Sequence, residues 1–253
     1  KKDYLKVVNY ANAAFPGTSI ANNIRSWNAT YGNLAYYEFQ TQYNSSDEPS
    51  NLLLAEAASN WGASFAEYNY GFDNTMVNFV SNSPIGGILV FTSKLFGGTP
   101  DVYNIPKYPT HEVKTGINAN TYYAYNMVNL FNAEEVLFNR AEANANLGNH
   151  AAVAQDMDIY LSKRIRLYDA TIHKFTDQKV QMAFVTLPLK NALIECVLNY
   201  KKKEFVFEGL RWLDVLRLNI PVTHLSKDGK IDIVLGTDDP SRVLPLPKEV
   251  KAN

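Results

Sequence analysis

The pattern of apolar positions is clearest between residues 133 and 165, where it predicts two helices joined by a short turn. Apolar or small residues recur at helical spacing in the first segment, at Ala133, Val136, Leu137, Ala141 and Leu147. The sequence Leu147-Gly148-Asn149 predicts that a C-cap glycine ends this helix. A second helix is predicted from near His150, with one side formed by Ala151, Ala154, Met157 and Leu161. The alanines favour close packing, so the pair is typical of a tetratricopeptide-like hairpin, which needs neighbours to cover its apolar faces.

The segment 201–218, KKKEFVFEGLRWLDVLRL, is predicted to be one helix that mixes large apolar residues with charges. Its apolar arc contains Phe205, Val206, Leu210, Trp212, Leu213 and Leu216. The opposite side groups Glu204, Glu208, Arg211 and Asp214, and helical spacing places Arg211 within reach of Glu208 and Asp214. Because Phe207, Val215 and Leu218 share that side, we expect both sides to be covered and the charges to be paired. The sequence therefore predicts structural ion pairs, with Trp212 in the core.

A competing interpretation makes Glu204 and Glu208 a glycosidase-type carboxylate pair. Adjacent turns of one helix give two acids a plausible separation, but hydrolases usually present them from separate elements in different environments. Each acid here has a basic neighbour in the sequence, which would keep both carboxylates ionised. Packing is the preferred interpretation, and the sequence predicts no catalytic residue.

Residues 1–125 differ in texture, because they are rich in Tyr, Asn, Gly and Pro and predict a loop-rich region with short strands. Candidate strands are NLLLAEA (51–57) and GILVFTS (87–93). Residues 126–219 are predicted to be helical apart from an interruption at 186–189, and a hairpin turning at Asp228-Gly229 follows. The predicted fold class is mainly α, with a helical hairpin beside the loop-rich region. The chain is predicted to divide into a candidate ligand-binding part, residues 1–125, and a region that carries the helical hairpin, residues 126–253.

Composition excludes several function classes. The formal net charge of the 253 residues is -1, so no basic field favours nucleic-acid binding. No apolar run approaches the roughly 20 residues that a membrane helix needs. The only cysteine, Cys196, excludes an internal disulfide, and we interpret it as a buried hydrophobe rather than a reactive thiol. The four histidines lack metal-ligand spacing, and TDDPS (237–241) is interpreted as a turn rather than a calcium site. No metal and no cofactor is predicted.

Aromatic residues in polar surroundings supply the candidate ligand contacts. The segment 59–74, SNWGASFAEYNYGFDN, follows a strand-like run and is predicted to leave the scaffold as a loop, where binding residues commonly lie. A sugar site needs aromatic platforms beside polar groups, and this segment provides Trp61, Tyr68, Asn69, Tyr70, Asp73 and Asn74. The alternative is that these aromatic residues cover the core. In segment 25–43, helical spacing favours core packing for Trp27, Tyr31, Tyr36 and Tyr37.

Three motifs, in the same order as in the family, resemble SusD/RagB-like nutrient-binding proteins. KEFVFEGLRWLDVLRL (203–218) resembles the family segment in which an acid, an apolar triplet, Glu-Gly, a basic residue, an aromatic residue and Asp recur. The segment 134–164 resembles the preceding helical hairpin, with Ala141-Glu142-Ala143 and Leu147-Gly148 in matching places. VLPLPKEVKAN (243–253) resembles the C-terminal ending of the family. The resemblance covers about the last half of the chain.

The resemblance implies a SusD-like fold and a non-catalytic, surface-exposed lipoprotein of the bacterial outer membrane. Such a protein captures glycans for a SusC-like TonB-dependent transporter, and some members are implicated in peptide capture. Family members begin with a lipoprotein signal, an anchoring cysteine and further helical repeats. None is recognisable here, so we expect an N-terminal part carrying the lipid anchor to be missing from this chain. The open alternatives are a peptide-binding member, a helical-repeat assembly scaffold and, less favoured, a glycoside hydrolase.

Overall fold

The computed structural model describes residues 3–59, 71–97, 101–115, 121–224 and 233–243. The α-helices in these ranges are α1 Tyr4–Ala14, α2 Tyr36–Tyr43, α3 Asn74–Ser81, α4 Ala133–Leu147, α5 His150–Arg164, α6 Ala170–His173, α7 Asp177–Ala183, α8 Leu189–Glu204 and α9 Leu210–Leu218. The strands are β1 Asn51–Ala58, β2 Lys94–Gly97, β3 Val102–Asn104, β4 Thr110–Thr115, β5 Thr121–Asn132, β6 Val222–His224 and β7 Ile233–Leu235. The mainly helical fold class is confirmed. No helix within the described ranges is long and apolar enough to cross a membrane.

The predicted helical hairpin is confirmed as α4 and α5. The side chain of Asn132 caps α4 by accepting a hydrogen bond from the Glu135 amide at 2.8 Å. Gly148 ends the helix with φ 80°, a left-handed conformation that glycine adopts without steric cost. Helix α4 also packs against α1 and α8, which are the neighbours that the hairpin needs. The predicted stripe is wrong at Leu147, which is 42% exposed beside the C-cap.

The main core is formed by α1, α4, α5, α7 and α8, with fully buried members such as Leu137, Met157, Val180 and Leu193. A second cluster contains Trp27, Tyr31, Phe39, Tyr43 and Val90. The core prediction is therefore confirmed for Trp27 and Tyr31. It is wrong for Tyr37, which is 73% exposed on the outer side of α2.

An antiparallel sheet of order β1-β5-β4 lies beside this core. Strand β1 confirms the prediction for 51–57, but β5 runs to Asn132 and continues directly into α4. The helical prediction for 126–132 is therefore wrong, because these residues pair with β1. The division at 125/126 stays a prediction, although β5 spans it without a break.

The strand predicted at 87–93 is also wrong. Ile88 and Leu89 form isolated bridges, and β2 begins at Lys94. Leu89 and Val90 are buried, and the Val90 amide donates to the Arg164 carbonyl at the end of α5 at 2.7 Å. The apolar run therefore packs on a helix end instead of within a sheet. Strands β6 and β7 pair antiparallel, as the hairpin prediction requires, while the turn at 228–229 lies outside the described residues.

The prediction of one helix through 201–218 is wrong, because α8 ends at Glu204 and α9 begins at Leu210. Phe207 and Gly209 adopt φ values of 71° and 75°, which break the helix. The turn sends Phe205 into the main core, whereas the Phe207 ring lies 5.4 Å from that of Phe72 in a third cluster. Helix α9 then directs Asp214 and Val215 inward, so Trp212 is 36% exposed and its assignment to the core is wrong.

Candidate functional site

Six charged side chains pair in a buried network below the turn at 205–209. Arg25 pairs with Glu134 at 2.9 Å and Arg164 pairs with Glu204 at 3.0 Å. Lys107, which precedes β4, pairs with Glu208 of the turn. All six side chains are at most 4% exposed. Three positive and three negative charges balance, as buried charges must.

Aromatic side chains connect these pairs. The Tyr43 hydroxyl donates to Glu208 Oε1 at 2.8 Å, and the Arg25 guanidinium lies 4.2 Å from the centroid of the Tyr43 ring. Arg164 lies 4.2 Å over the Trp27 ring, a cation–π contact. The network therefore joins the aromatic cluster of residues 27–43 to α4, α5 and the end of α8.

The electrostatics of the network depend on burial first and on pairing second. Burial raises the pKa of Glu134 above its ordinary value, and the neighbouring Arg25 charge opposes that rise. Burial also raises the pKa of Tyr43, and the adjacent Glu208 charge adds to the effect. Tyr43 is therefore a neutral phenol, and its hydroxyl donates a hydrogen bond to the Glu208 carboxylate.

The acids singled out from the sequence do form ion pairs, but with partners other than those expected from helical spacing. Glu204 pairs with Arg164 of α5, and Glu208 pairs with Lys107. Asp214 pairs with Lys201 at 3.1 Å and with Arg217 at 2.6 Å. Arg211 forms no ion pair with any residue that the structure describes, and its Nη1 atom is buried without a hydrogen-bond partner there. The broken helix removes Glu208 from the helical face of Arg211. Asp214 remains on the same helix as Arg211, but it pairs with Lys201 and Arg217 instead.

A cleft of about 330 Å³ lies directly above the network, between the sheet and the turn at 205–209. It is lined by Ser59, Tyr108, Asn126, Val128, Phe207, Glu208 and Gly209. The Asn126 side chain accepts from the Thr110 hydroxyl at 3.0 Å and donates to the Ser59 carbonyl at 2.5 Å. The Tyr108 hydroxyl donates to the Phe207 carbonyl at 3.1 Å. The cleft therefore combines aromatic rings with polar groups held in fixed positions.

The cleft borders the chain segment singled out for ligand contacts. Trp61, Tyr68, Asn69 and Tyr70 lie outside the described residues, and Ser59, which lines the cleft, is the last described residue before them. On the other side of the gap, Asp73 caps α3 by accepting from the Met76 amide at 3.0 Å. Asn74 accepts from the Tyr103 hydroxyl at 2.8 Å. A binding role for these six residues stays a prediction.

A second hollow of about 520 Å³ lies on the outer side of α2 and its C-terminal end, lined by Tyr37, Glu38, Thr41, Gln42 and Ser45. These residues come from one short stretch of chain, so the hollow lacks the opposing walls of the cleft. Within the described ranges there is no group of three or more His, Cys, Asp or Glu side chains that could hold a metal ion.

Sequence reasoning did not find Tyr108, Asn126, Phe207 or Glu208 as neighbours in one cleft. They come from three parts of the chain, and the turn that presents Phe207 and Glu208 was predicted to be helical. The glycine of Glu208-Gly209 was the signal for this turn, because glycine in a helical pattern often marks its end.

The comparisons with known proteins bear on the motifs at 134–164 and 203–218. From residue 244 onward, the motif at 243–253 lies outside the residues that the structure describes. A search of curated proteins found no match. The model of the SusD family matches residues 10–243, which is nearly the whole chain. Proteins of this family bind nutrients at the cell surface and are not catalytic. The chain therefore belongs to the SusD family.

Proposed function

We propose that the chain captures a glycan at the outer-membrane surface and passes it uncleaved to a SusC-like TonB-dependent transporter. In this proposal a lipid anchor attaches the protein to the membrane. Family membership supports the nutrient-binding role and makes the transporter the natural partner. The observation that carries the choice of a glycan is the cleft, in which aromatic rings lie beside polar groups.

The cleft has the groups that a sugar needs. Sugar rings present apolar C–H faces edged by hydroxyls, so they bind to aromatic rings flanked by polar groups. Tyr108 and Phe207 supply the rings, and Asn126 and Glu208 supply the polar groups. In the sequence, Trp61, Tyr68 and Tyr70 follow Ser59, which lines the cleft. We propose that these aromatic residues extend the binding surface.

The charge network argues against hydrolysis by the acids of this region. Glu204 and Glu208 are each engaged by a buried cation and come from one short stretch of chain, whereas a glycosidase presents two acids that flank the scissile bond. Both acids therefore serve as fixed charges, which agrees with the non-catalytic character of the family.

Calorimetric titration against a panel of oligosaccharides and peptides tests the proposal, with chromatography of each ligand afterwards. We expect one glycan class to bind and to be recovered intact. Binding of peptides alone would favour the peptide-capture alternative, and shortened products would show hydrolysis.

Trp61→Ala tests the contribution of segment 59–74. We expect it to remove most glycan binding while the melting temperature stays nearly unchanged. The matched control is Tyr10→Ala, because Tyr10 is 72% exposed on α1, which contributes no residue to the cleft. A core position for Trp61 would instead cost about 3–5 kcal/mol on truncation. A badly destabilised Trp61→Ala protein would therefore assign Trp61 to the core.

A further inference from the structure

Glu208 is held through one of its two carboxylate oxygens. Oε1 accepts from the Tyr43 hydroxyl at 2.8 Å and from Lys107 Nζ. Oε2 accepts no hydrogen bond from any residue that the structure describes, and it is not among the enclosed unpaired atoms. The side chain is 4% exposed and lines the cleft, so Oε2 is the part of it left to meet a ligand.

The positive charge that balances Glu208 is withdrawn from the cleft. The Lys107 side chain is 2% exposed, and its ammonium group donates to the Glu204 carbonyl at 2.6 Å as well as to Glu208. The described lining residues include Glu208 as their one charged side chain and contain no Lys, Arg or His. A ligand in the cleft therefore meets a carboxylate directly, while the balancing cation lies behind it.

The backbone around Glu208 is fixed by strained and hydrogen-bonded geometry. Phe207 has a φ of 71°, which is unusual for a residue with a bulky side chain, and Gly209 has a φ of 75°. The Phe207 carbonyl is held by the Tyr108 hydroxyl, and the Glu208 amide donates to the Phe205 carbonyl at 3.1 Å. A carboxylate fixed in this way accepts a ligand hydroxyl without an ordering cost, and it cannot turn away from a ligand anion.

We infer that Glu208 makes the cleft selective for neutral glycans, because Oε2 accepts a hydrogen bond from a sugar hydroxyl and repels carboxylated or sulfated sugars. This inference rests on the proposed function and deepens it. Hydrogen bonds to an ionised acceptor are stronger than neutral ones, and like-charge contacts reject the wrong ligand. Two effects of one group then favour the same ligand class.

Matched pairs of ligands test the inference on the unmodified protein. The pairs are linear and glucuronate-bearing xylo-oligosaccharides, methyl-esterified and free galacturonan oligosaccharides, and plain and sulfated galactan oligosaccharides. For whichever pair binds, we expect the neutral member to bind at least about tenfold more tightly, because a like-charge contact with a fixed carboxylate penalises the acidic member. Equal or tighter binding of the acidic member overturns the inference and leaves the proposed function intact. If no glycan in the wider panel binds, the proposed function itself fails.

Glu208→Gln tests whether the charge of Glu208 causes the preference for neutral ligands, because glutamine keeps the shape of the side chain and removes its charge. We expect the preference for the neutral ligand to fall to within about threefold of parity. If Glu208→Gln does not fold because Lys107 is left unpaired, the double variant Lys107→Met/Glu208→Gln removes both charges and gives the same readout. A folded, charge-free variant that keeps the full preference would overturn the role of Glu208.

Discussion

Arg25→Met is the substitution that most directly measures the buried network. Arg25 is 0% exposed, and it donates to Glu134 Oε2 at 2.9 Å, to the Tyr43 carbonyl at 3.3 Å and to Asn51 Oδ1. Methionine keeps a flexible apolar chain in place of the aliphatic stem of arginine, but it removes the guanidinium group and its charge. Among the residues that the structure describes, Glu134 would then keep the Ser50 hydroxyl and the backbone amide of residue 25 as its donors.

The expected cost follows from leaving a buried carboxylate without its cation. Removing one member of a buried pair typically costs about 3–5 kcal/mol, and Glu134 is 2% exposed, so water cannot compensate. For a chain of this size, that loss corresponds to a fall in melting temperature of roughly 6–20 °C. Burial raises the pKa of Glu134, so protonation removes the unpaired charge as pH falls. The stability lost by Arg25→Met should therefore be smaller at about pH 5 than at about pH 8.

Urea denaturation followed by circular dichroism measures this loss, with Lys6→Met as the control. Lys6 pairs with Asp3 at 3.3 Å, but the side chains are 69% and 47% exposed, so its loss should cost less than about 1 kcal/mol. Adding Glu134→Gln to Arg25→Met should recover part of the loss, because the orphaned charge disappears. A loss of less than about 1 kcal/mol in the free energy of unfolding of Arg25→Met would contradict a buried ion pair with Glu134. The same holds if the double variant loses as much as Arg25→Met and Glu134→Gln lose separately when added together.

Three further predictions concern single side chains. Iodoacetamide should not label the sole cysteine, Cys196, in the native protein, because the thiol is buried and burial raises its pKa. Denaturant should allow full labelling, and labelling of the native state would contradict the burial. Trp27→Ala should cost about 3–5 kcal/mol and Trp212→Ala clearly less, since they are 1% and 36% exposed, so equal losses in urea melts would contradict the burial. Burial lowers the pKa of Lys203 from 10.5 to about 8, so between pH 8 and pH 10.5 the unfolded chain binds a proton that the folded protein does not. The free energy of unfolding of the wild type, measured relative to Lys203→Met, should therefore rise with pH in this range, and a difference that does not change with pH would argue against the shift.

The helical hairpin could be predicted because its signals are local. The spacing of Ala133, Leu137 and Ala141 defines one face, and Gly148 supplies the backbone conformation that ends α4. Such patterns depend on neighbours within a few residues, so they survive whatever the rest of the chain does. The motifs that resemble the family lie in the same part of the chain, which is why the family could be recognised.

The ion pairs and the cleft could not be predicted because their partners are distant in the chain. Glu204 lies 40 residues from Arg164, and Glu208 lies 101 residues from Lys107, so helical spacing offered Arg211 instead. The left-handed conformation of Phe207 is imposed by tertiary packing, since its ring lies against Phe72 while Phe205 enters the main core. Charges on a presumed helix therefore showed that pairs were needed, but not which atoms would form them.

A crystal structure of the protein with its tightest-binding oligosaccharide tests whether the cleft holds a glycan without cleaving it. We expect an intact ligand with one sugar ring against Tyr108 or Phe207 and a hydroxyl within hydrogen-bond distance of Glu208 Oε2. A ligand bound away from the cleft, or one found cleaved, would contradict it.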